Sequence, residues 1–132
     1  MTVLELMSRS LRMLLVLDPG QSVGGAEAAT NLPALNHMMA RWEEDGVSVG
    51  WVPVTNTAST VTAPDSALEG IAANLAVVLA PEYGVTPSAV VAAMADGGYR
   101  ALERDSIKDT IEPVEMTHIP GTDAGSYDIN TD

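Results

Sequence analysis

The chain contains no cysteine and no phenylalanine, and its 6 lysines and arginines stand against 18 aspartates and glutamates. Without cysteine it can hold no disulfide framework, no thiolate nucleophile and no zinc site built on thiolates. The formal charge of −12 at pH 7 argues against a protein that grips nucleic acid or anionic lipid by charge. Aromatic residues make up only 4% of the chain and methionine fills 7 positions, so the hydrophobic 46% points to an aliphatic, alanine-rich, adaptable core. Long apolar runs are also missing, since nothing approaches the ~20 residues that a membrane-spanning helix needs. Met13 to Leu17, behind Arg9 and Arg12, falls short of the roughly 7–15-residue apolar region of an export signal, and Glu5 sits where such a signal is basic. The expectation is a soluble protein with no membrane anchor. Its 132 residues suit one core rather than two domains.

Four helical segments can be read from the sequence. Thr2 and Glu5 have capping-box spacing, and Leu4, Met7, Leu11 and Leu14 follow on one face, which predicts a helix from about Val3 to Leu17. Asp18-Pro19-Gly20 and Gly24-Gly25 then mark a turn and a loose connection. The second helix carries Leu32, Leu35, Met39 and Trp42 and ends near Asp45-Gly46; it begins either near Asn31, or near Ala26 with a bend at Pro33, and the good helix formers Ala26 to Ala29 favour the longer version. The third is punctuated at both ends. Asp65 or Ser66 can cap its start, Pro81 and Gly84 close it behind Ala80, and Leu68, Ile71 or Ala72, Leu75, Val78 and Leu79 recur as a face that should be buried. Thr86-Pro87 opens the fourth as N-cap and first residue, and Val90, Val91, Met94, Tyr99 and Leu102 carry it to about Ser106. Gly97-Gly98 inside it weakens the helix by roughly 1 kcal/mol each relative to alanine, which suggests close backbone packing or a bend.

Between the second and third helices, from Val47 to Pro64, the period becomes alternating, with Val47, Val49 and Trp51 on one side. Enriched β-branched residues predict a short irregular β-hairpin, with Pro53 and Pro64 confining its strands to edges. Beyond Lys108 every charge is acidic, Pro113 and Pro120 interrupt any helix, and Gly121 and Gly125 loosen the backbone. The fold class is therefore mainly α: a four-helix bundle-like body over residues 1–106, with a hairpin at about 47–64, and an extended acidic tail over 107–132.

Candidate chemistry is sparse. Glu43-Glu44-Asp45 suggests paired catalytic carboxylates, but adjacent helical residues do not face each other, and a solvated helix end explains the run better. His37 and His118 lack any metal-ligand spacing, and no phosphate loop, nucleophile elbow or Ser/His/Asp pattern appears, so no catalytic residue, cofactor or metal is assigned. Arg100, Arg104 and Lys108 recur every four residues as a basic stripe, either paired with Asp96, Glu103 or Asp105 or reserved for an acidic neighbour. With Ile111, Met116, Ile119, Tyr127 and Ile129 of the tail they form the candidate subunit or partner interface. Leu35, Met39, Trp42, Leu68, Ile71, Leu75 and Leu79 are the candidate core anchors.

Three segments taken together, Leu35-Asn36-His37-Met38-Met39-Ala40-Arg41-Trp42, Asp65 to Ala76 with its Asn74-Leu75-Ala76 centre, and Ala80-Pro81-Glu82-Tyr83-Gly84, resemble the head-to-tail adaptor (head-completion, packaged-DNA stabilisation) family of short-tailed bacteriophages. The resemblance spans roughly Val3 to Arg104 and rests on the order and spacing of the three. It implies a helical subunit in a dodecameric ring beneath the portal protein, with its C-terminal tail along the portal and a tail tube or nozzle protein docked below. It also implies that double-stranded DNA passes through the ring without specific binding. An acidic channel wall would let DNA slide rather than stick. Two other classes compete with this: a small cell-wall hydrolase using carboxylates such as Glu43, Glu44 and Glu82, and an acidic mimic of nucleic acid. The first rests only on the surplus of acids, and the second needs carboxylates spread over the body rather than gathered in the tail and at helix ends.

Overall fold

The computed structural model describes residues 1–110, with the side chains of residues 1–108. Regular structure among the described residues consists of α1 (Val3–Met13), α2 (Gly25–Glu44), α3 (Asp65–Leu79) and α4 (Ala89–Thr110). The mainly α class holds, and α3 is the centre of the arrangement, touching each of the other three helices. Ala67, Gly70, Ile71, Ala72, Ala73, Leu75, Ala76 and Leu79 are all buried on it, so small and large apolar side chains face partners in nearly every direction.

The start of α1 shows how the chain satisfies its own backbone. Glu5 N–H donates to the Thr2 hydroxyl oxygen at 3.2 Å and Thr2 N–H donates to the Glu5 carboxylate at 2.7 Å, completing the expected capping box. The two preceding helical N–H groups donate elsewhere: Val3 to the Ser59 carbonyl at 3.0 Å and Leu4 to the Thr57 carbonyl at 2.9 Å. The long connection after α2 is thus folded back over the N-terminus of α1, with Thr2 and Thr60 forming an isolated antiparallel bridge.

That connection is not a β-hairpin. Alternating, β-branched sequence predicted paired strands over 47–64, but the backbone groups there find side chains instead of a ladder. Asn36 on α2 gives its amide N–H to the Val54 carbonyl at 2.8 Å and accepts from Val54 N–H at 3.2 Å. The Ser106 hydroxyl on α4 accepts from Ser48 N–H at 3.0 Å and lies 3.2 Å from the Ser48 carbonyl. Thr62 accepts from Val52 N–H at 3.0 Å and donates to the Gly50 carbonyl at 2.7 Å. With Gly50 at φ +71° and Pro53 lacking a donor, strand pairing is broken locally and hydroxyl and amide side chains complete the bonding. Val47, Val49, Val54 and Val61 still turn into the core.

Helix boundaries depart from expectation at four places. α1 stops at Met13 rather than Leu17, because Leu15 adopts φ +61° and closes the helix. α3 begins at Asp65 behind Pro64, with no side-chain cap from Asp65 or Ser66. α4 begins at Ala89, not at Pro87: Ser88 accepts from Val91 N–H at 3.2 Å, so Ser88 takes the capping role assigned to Thr86. α4 also runs four residues past Ser106, across the expected junction of body and tail. The longer form of α2 is the one observed, continuous from Gly25 through Pro33.

Candidate functional site

Two flanks of α3 position everything that follows. On one flank α3 meets α4 backbone to backbone. A Cβ added to Gly98 would lie 2.6 Å from the Gly70 Cα, and one added to Gly70 would lie 3.2 Å from the Gly98 Cα. Gly97-Gly98 therefore reflects close packing, with Gly98 as the residue that needs it; nothing crowds Gly97. Asn74 secures the same crossing by placing its amide nitrogen 2.8 Å from both the Gly70 and the Ala95 carbonyl oxygens.

The other flank faces α2 and is open. Pro33, Ala34, His37 and Met38 of α2 face Val78 and Glu82 across a cleft of about 620 Å³, with Arg41 and Trp42 at the same site. Val78, expected on the buried face, is 43% exposed here. The far end of the α2–α3 junction is fastened by Tyr83, whose hydroxyl donates to Glu27 Oε1 at 2.6 Å and accepts from Asn31 Nδ2 at 2.7 Å. Burial, followed by the bond to Glu27, pushes the Tyr83 phenol above its usual range, opposed by the Asn31 amide. In the sequence Tyr83 stands out only as a member of the Ala80-Pro81-Glu82-Tyr83-Gly84 segment. Its role as a polar clasp across more than fifty residues had no local signature.

The remaining expected residues are placed as follows. Leu35, Met39, Trp42, Ile71, Leu75 and Leu79 are buried, while Leu68 is half-buried against the core. Trp42 packs edge-on to Tyr99 of α4 with ring centroids 5.2 Å apart. Along the outer side of α4, Arg100 pairs with Asp96 at 3.1 Å, the intrahelical alternative. Arg104 is exposed, and Lys108 lies beside Asp105 and Leu102 at a shallow cleft of about 540 Å³ bounded by Ser48, Pro64 and Ser66. Exposed i,i+4 pairs of this kind contribute about 0.3–0.5 kcal/mol, so the stripe does little for the fold. Ile111, Met116, Ile119, Tyr127, Ile129 and His118, with most of the acidic tail, lie outside the described residues.

The carboxylates weighed as a catalytic set do not converge. Glu43 and Glu44 line a cleft with Asn36, Met39, Trp51 and Pro53, whereas Glu82 belongs to the cleft between α2 and α3. Among the described residues no group of three or more His, Asp or Glu side chains is gathered as metal ligands, and no helix is long and apolar enough to cross a membrane.

The model of the P22 tail accessory factor family matches residues 21–128. The chain belongs to that family. It is therefore a phage tail-related protein, and the match takes in α2, α3, α4 and most of the sequence beyond them. No curated protein matches the chain. The segments that carried the resemblance to head-to-tail adaptors all fall inside the matched range, and they coincide with α2, α3 and the Tyr83 turn.

Proposed function

We propose that this protein is a non-enzymatic structural component of the virion that joins head to tail. In this reading several copies form a ring below the portal, extend the channel through which DNA passes, help retain packaged DNA and give the tail tube or nozzle its docking surface. The observation that carries the proposal is the extent of the family match, which spans residues 21–128 and so takes in most of the acidic segment as well as α2, α3 and α4. A body fastened by Gly70 against Gly98, followed by a polar segment, suits a rigid ring element with an appended arm. The excess of 18 acids over 6 bases suits a channel wall that repels the DNA it surrounds.

In the same reading the helical body through Thr110 builds the ring and the acidic residues beyond it engage the portal, with Arg100, Arg104 and Lys108 near the junction. Native mass measurement of the protein alone and after mixing with the portal ring of its own phage tests this directly. A portal-bound oligomer is expected. A chain that stays monomeric beside the portal, or that is missing from purified particles, would overturn it. A variant ending at Thr110 keeps all four helices and is expected to remain folded while losing portal binding; unchanged binding would remove the tail from the interface.

A further inference from the structure

The end of α1 contains a residue that the isolated chain has no reason to keep. Leu15 N–H bonds the Arg12 carbonyl at 3.0 Å and Val16 N–H bonds the Leu11 carbonyl at 3.0 Å, which is the Schellman arrangement with Leu15 at the position normally taken by glycine. Its φ is +61°, and it is the sole non-glycine residue with positive φ among the described residues. A leucine held there is strained relative to glycine, because its Cβ crowds the following carbonyl. The side chain recovers nothing from its own subunit, being 89% exposed, the highest of the exposed large hydrophobic residues. An exposed leucine alone is ordinary, but one kept at a strained left-handed position where glycine would fit is a backbone outlier of the kind that marks contact sites.

The α2–α3 cleft has the complementary character. Pro33, Ala34, Met38 and Val78 line an open apolar recess, with Arg41 and Glu82 as its charged members. Leu15 stands in the chain between Arg12 and Asp18, and Gln21 links the two, accepting from Arg12 through its backbone carbonyl at 2.6 Å and from Asp18 N–H through its side chain at 3.1 Å. Arg41 of the recess is already paired with Asp45 at 3.3 Å, which leaves Glu82 as the recess charge open to a partner and Arg12, beside Leu15, as the cation of opposite sign that can meet it.

We propose that Leu15 of one copy seats in the α2–α3 cleft of a second copy. Two different patches meet, so the contact is heterologous, the kind that propagates from subunit to subunit and closes into a ring when the rotation allows. The proposal rests on the ring reading only for the place where the contact operates. It names the surfaces that would make it.

The absence of native cysteine makes the test direct. Particles assembled with a Leu15→Cys, Val78→Cys double variant are oxidised and the protein is resolved without reductant. A ladder of covalent oligomers is expected, absent from either single variant. Incorporated protein that remains monomeric, or Leu15→Cys captured by a different virion protein, would overturn the contact. If the protein is missing from particles altogether, it is the head-to-tail reading that fails. The contact is then read by mixing the two purified single variants, where a covalent dimer requiring both cysteines supports it and no dimer refutes it.

Leu15→Gly separates contact from stability. It is expected to raise the melting temperature of the isolated chain by a few degrees while lowering association about tenfold or more. Arg12→Glu is expected to weaken association and Glu82→Arg to restore it in the double variant. Association unaffected by Leu15→Gly would overturn the proposal.

Discussion

The two flanks of α3 are solved in opposite ways. Toward α4 the chain removes side chains altogether, at Gly70 and Gly98, so that the helix backbones touch and Asn74 bonds across the crossing. Toward α2 it keeps side chains but leaves a gap, so that Val78 is 43% exposed beside Glu82 and His37. At the Gly70–Gly98 crossing there is no side chain between the two backbones that could give way, and the Asn74 amide ties the helices together beside it. An open flank lined by apolar groups and tied at one end by Tyr83 is free to receive something. One side of the central helix is thus closed backbone to backbone, and the other keeps an open apolar recess.

The seam is the more sensitive side. Gly98→Ala is expected to destabilise by about 3 kcal/mol or more, because the new methyl would fall 2.6 Å from backbone that has nowhere to go. Gly70→Ala, at 3.2 Å, should cost clearly less, because the neighbour has to give by only a few tenths of an ångström and alanine regains about 1 kcal/mol of helix propensity, and thermal denaturation of the two variants checks the order. Equal effects, or a larger one at Gly70, would mean that the helices relax apart and that the seam is not rigid. Gly97→Ala has open space around it and should be neutral or slightly stabilising, which provides the control.

Next in size is Asn74→Asp. The amide donates toward two carbonyl oxygens 2.8 Å away, and a carboxylate there would face both with no proton to offer. A loss of about 2–3 kcal/mol is expected at neutral pH. The deficit should shrink in acid, because the protonated carboxyl can donate again. A pH-independent deficit would place the effect in packing rather than in the bond across the seam.

The open flank gives smaller numbers. Tyr83→Phe removes the hydroxyl that Asn31 and Glu27 share and leaves the buried Asn31 amide without that acceptor, at an expected cost of about 1–2 kcal/mol. The sign of its pH dependence follows from the raised phenol: the clasp is fully present below the ordinary value of 10.0 and is lost as pH rises through the higher folded value. Wild type and Tyr83→Phe should therefore converge in stability at strongly alkaline pH. Parallel curves there would exclude the clasp as a source of stability.

Much of this contrast was written locally and some of it was not. The Thr2/Glu5 box, the stop at Pro81 to Gly84 and the course of α2 past Pro33 depend on residues a few positions apart, and all three read correctly. Gly97-Gly98 suggests close packing or a bend, and choosing between them needs its counterpart Gly70, which lies in another helix and is joined to it only by the register of α3 on α4. The 47–64 segment misled for the same reason. Its alternation is real, yet the groups that satisfy its backbone, Asn36 and Ser106, come from helices remote in sequence. Leu15 has no signature at all, since leucine is a poor choice at a left-handed helix terminus and is seen only once the backbone is known. Val78 falls within a periodic apolar pattern, but periodicity reports which face of a helix turns inward and not whether a neighbour reaches it.

The smallest effect lies away from both flanks, at the start of α1, and serves to calibrate them. The Thr2 backbone N–H, followed by the Thr2 hydroxyl, holds the Glu5 carboxyl below its ordinary value of 4.5. A depressed carboxyl contributes stability that is present above that value and disappears as pH falls through the folded one. Glu5→Ala should thus melt slightly below wild type at neutral pH and coincide with it in acid. Because the carboxylate is exposed, the difference should also narrow in high salt, whereas the Gly98→Ala loss, which is steric, should not respond to salt or to acid. A Gly98→Ala deficit that faded with either would mean that the seam is held by charge after all, and the distinction between a backbone-sealed flank and an open one would fall with it.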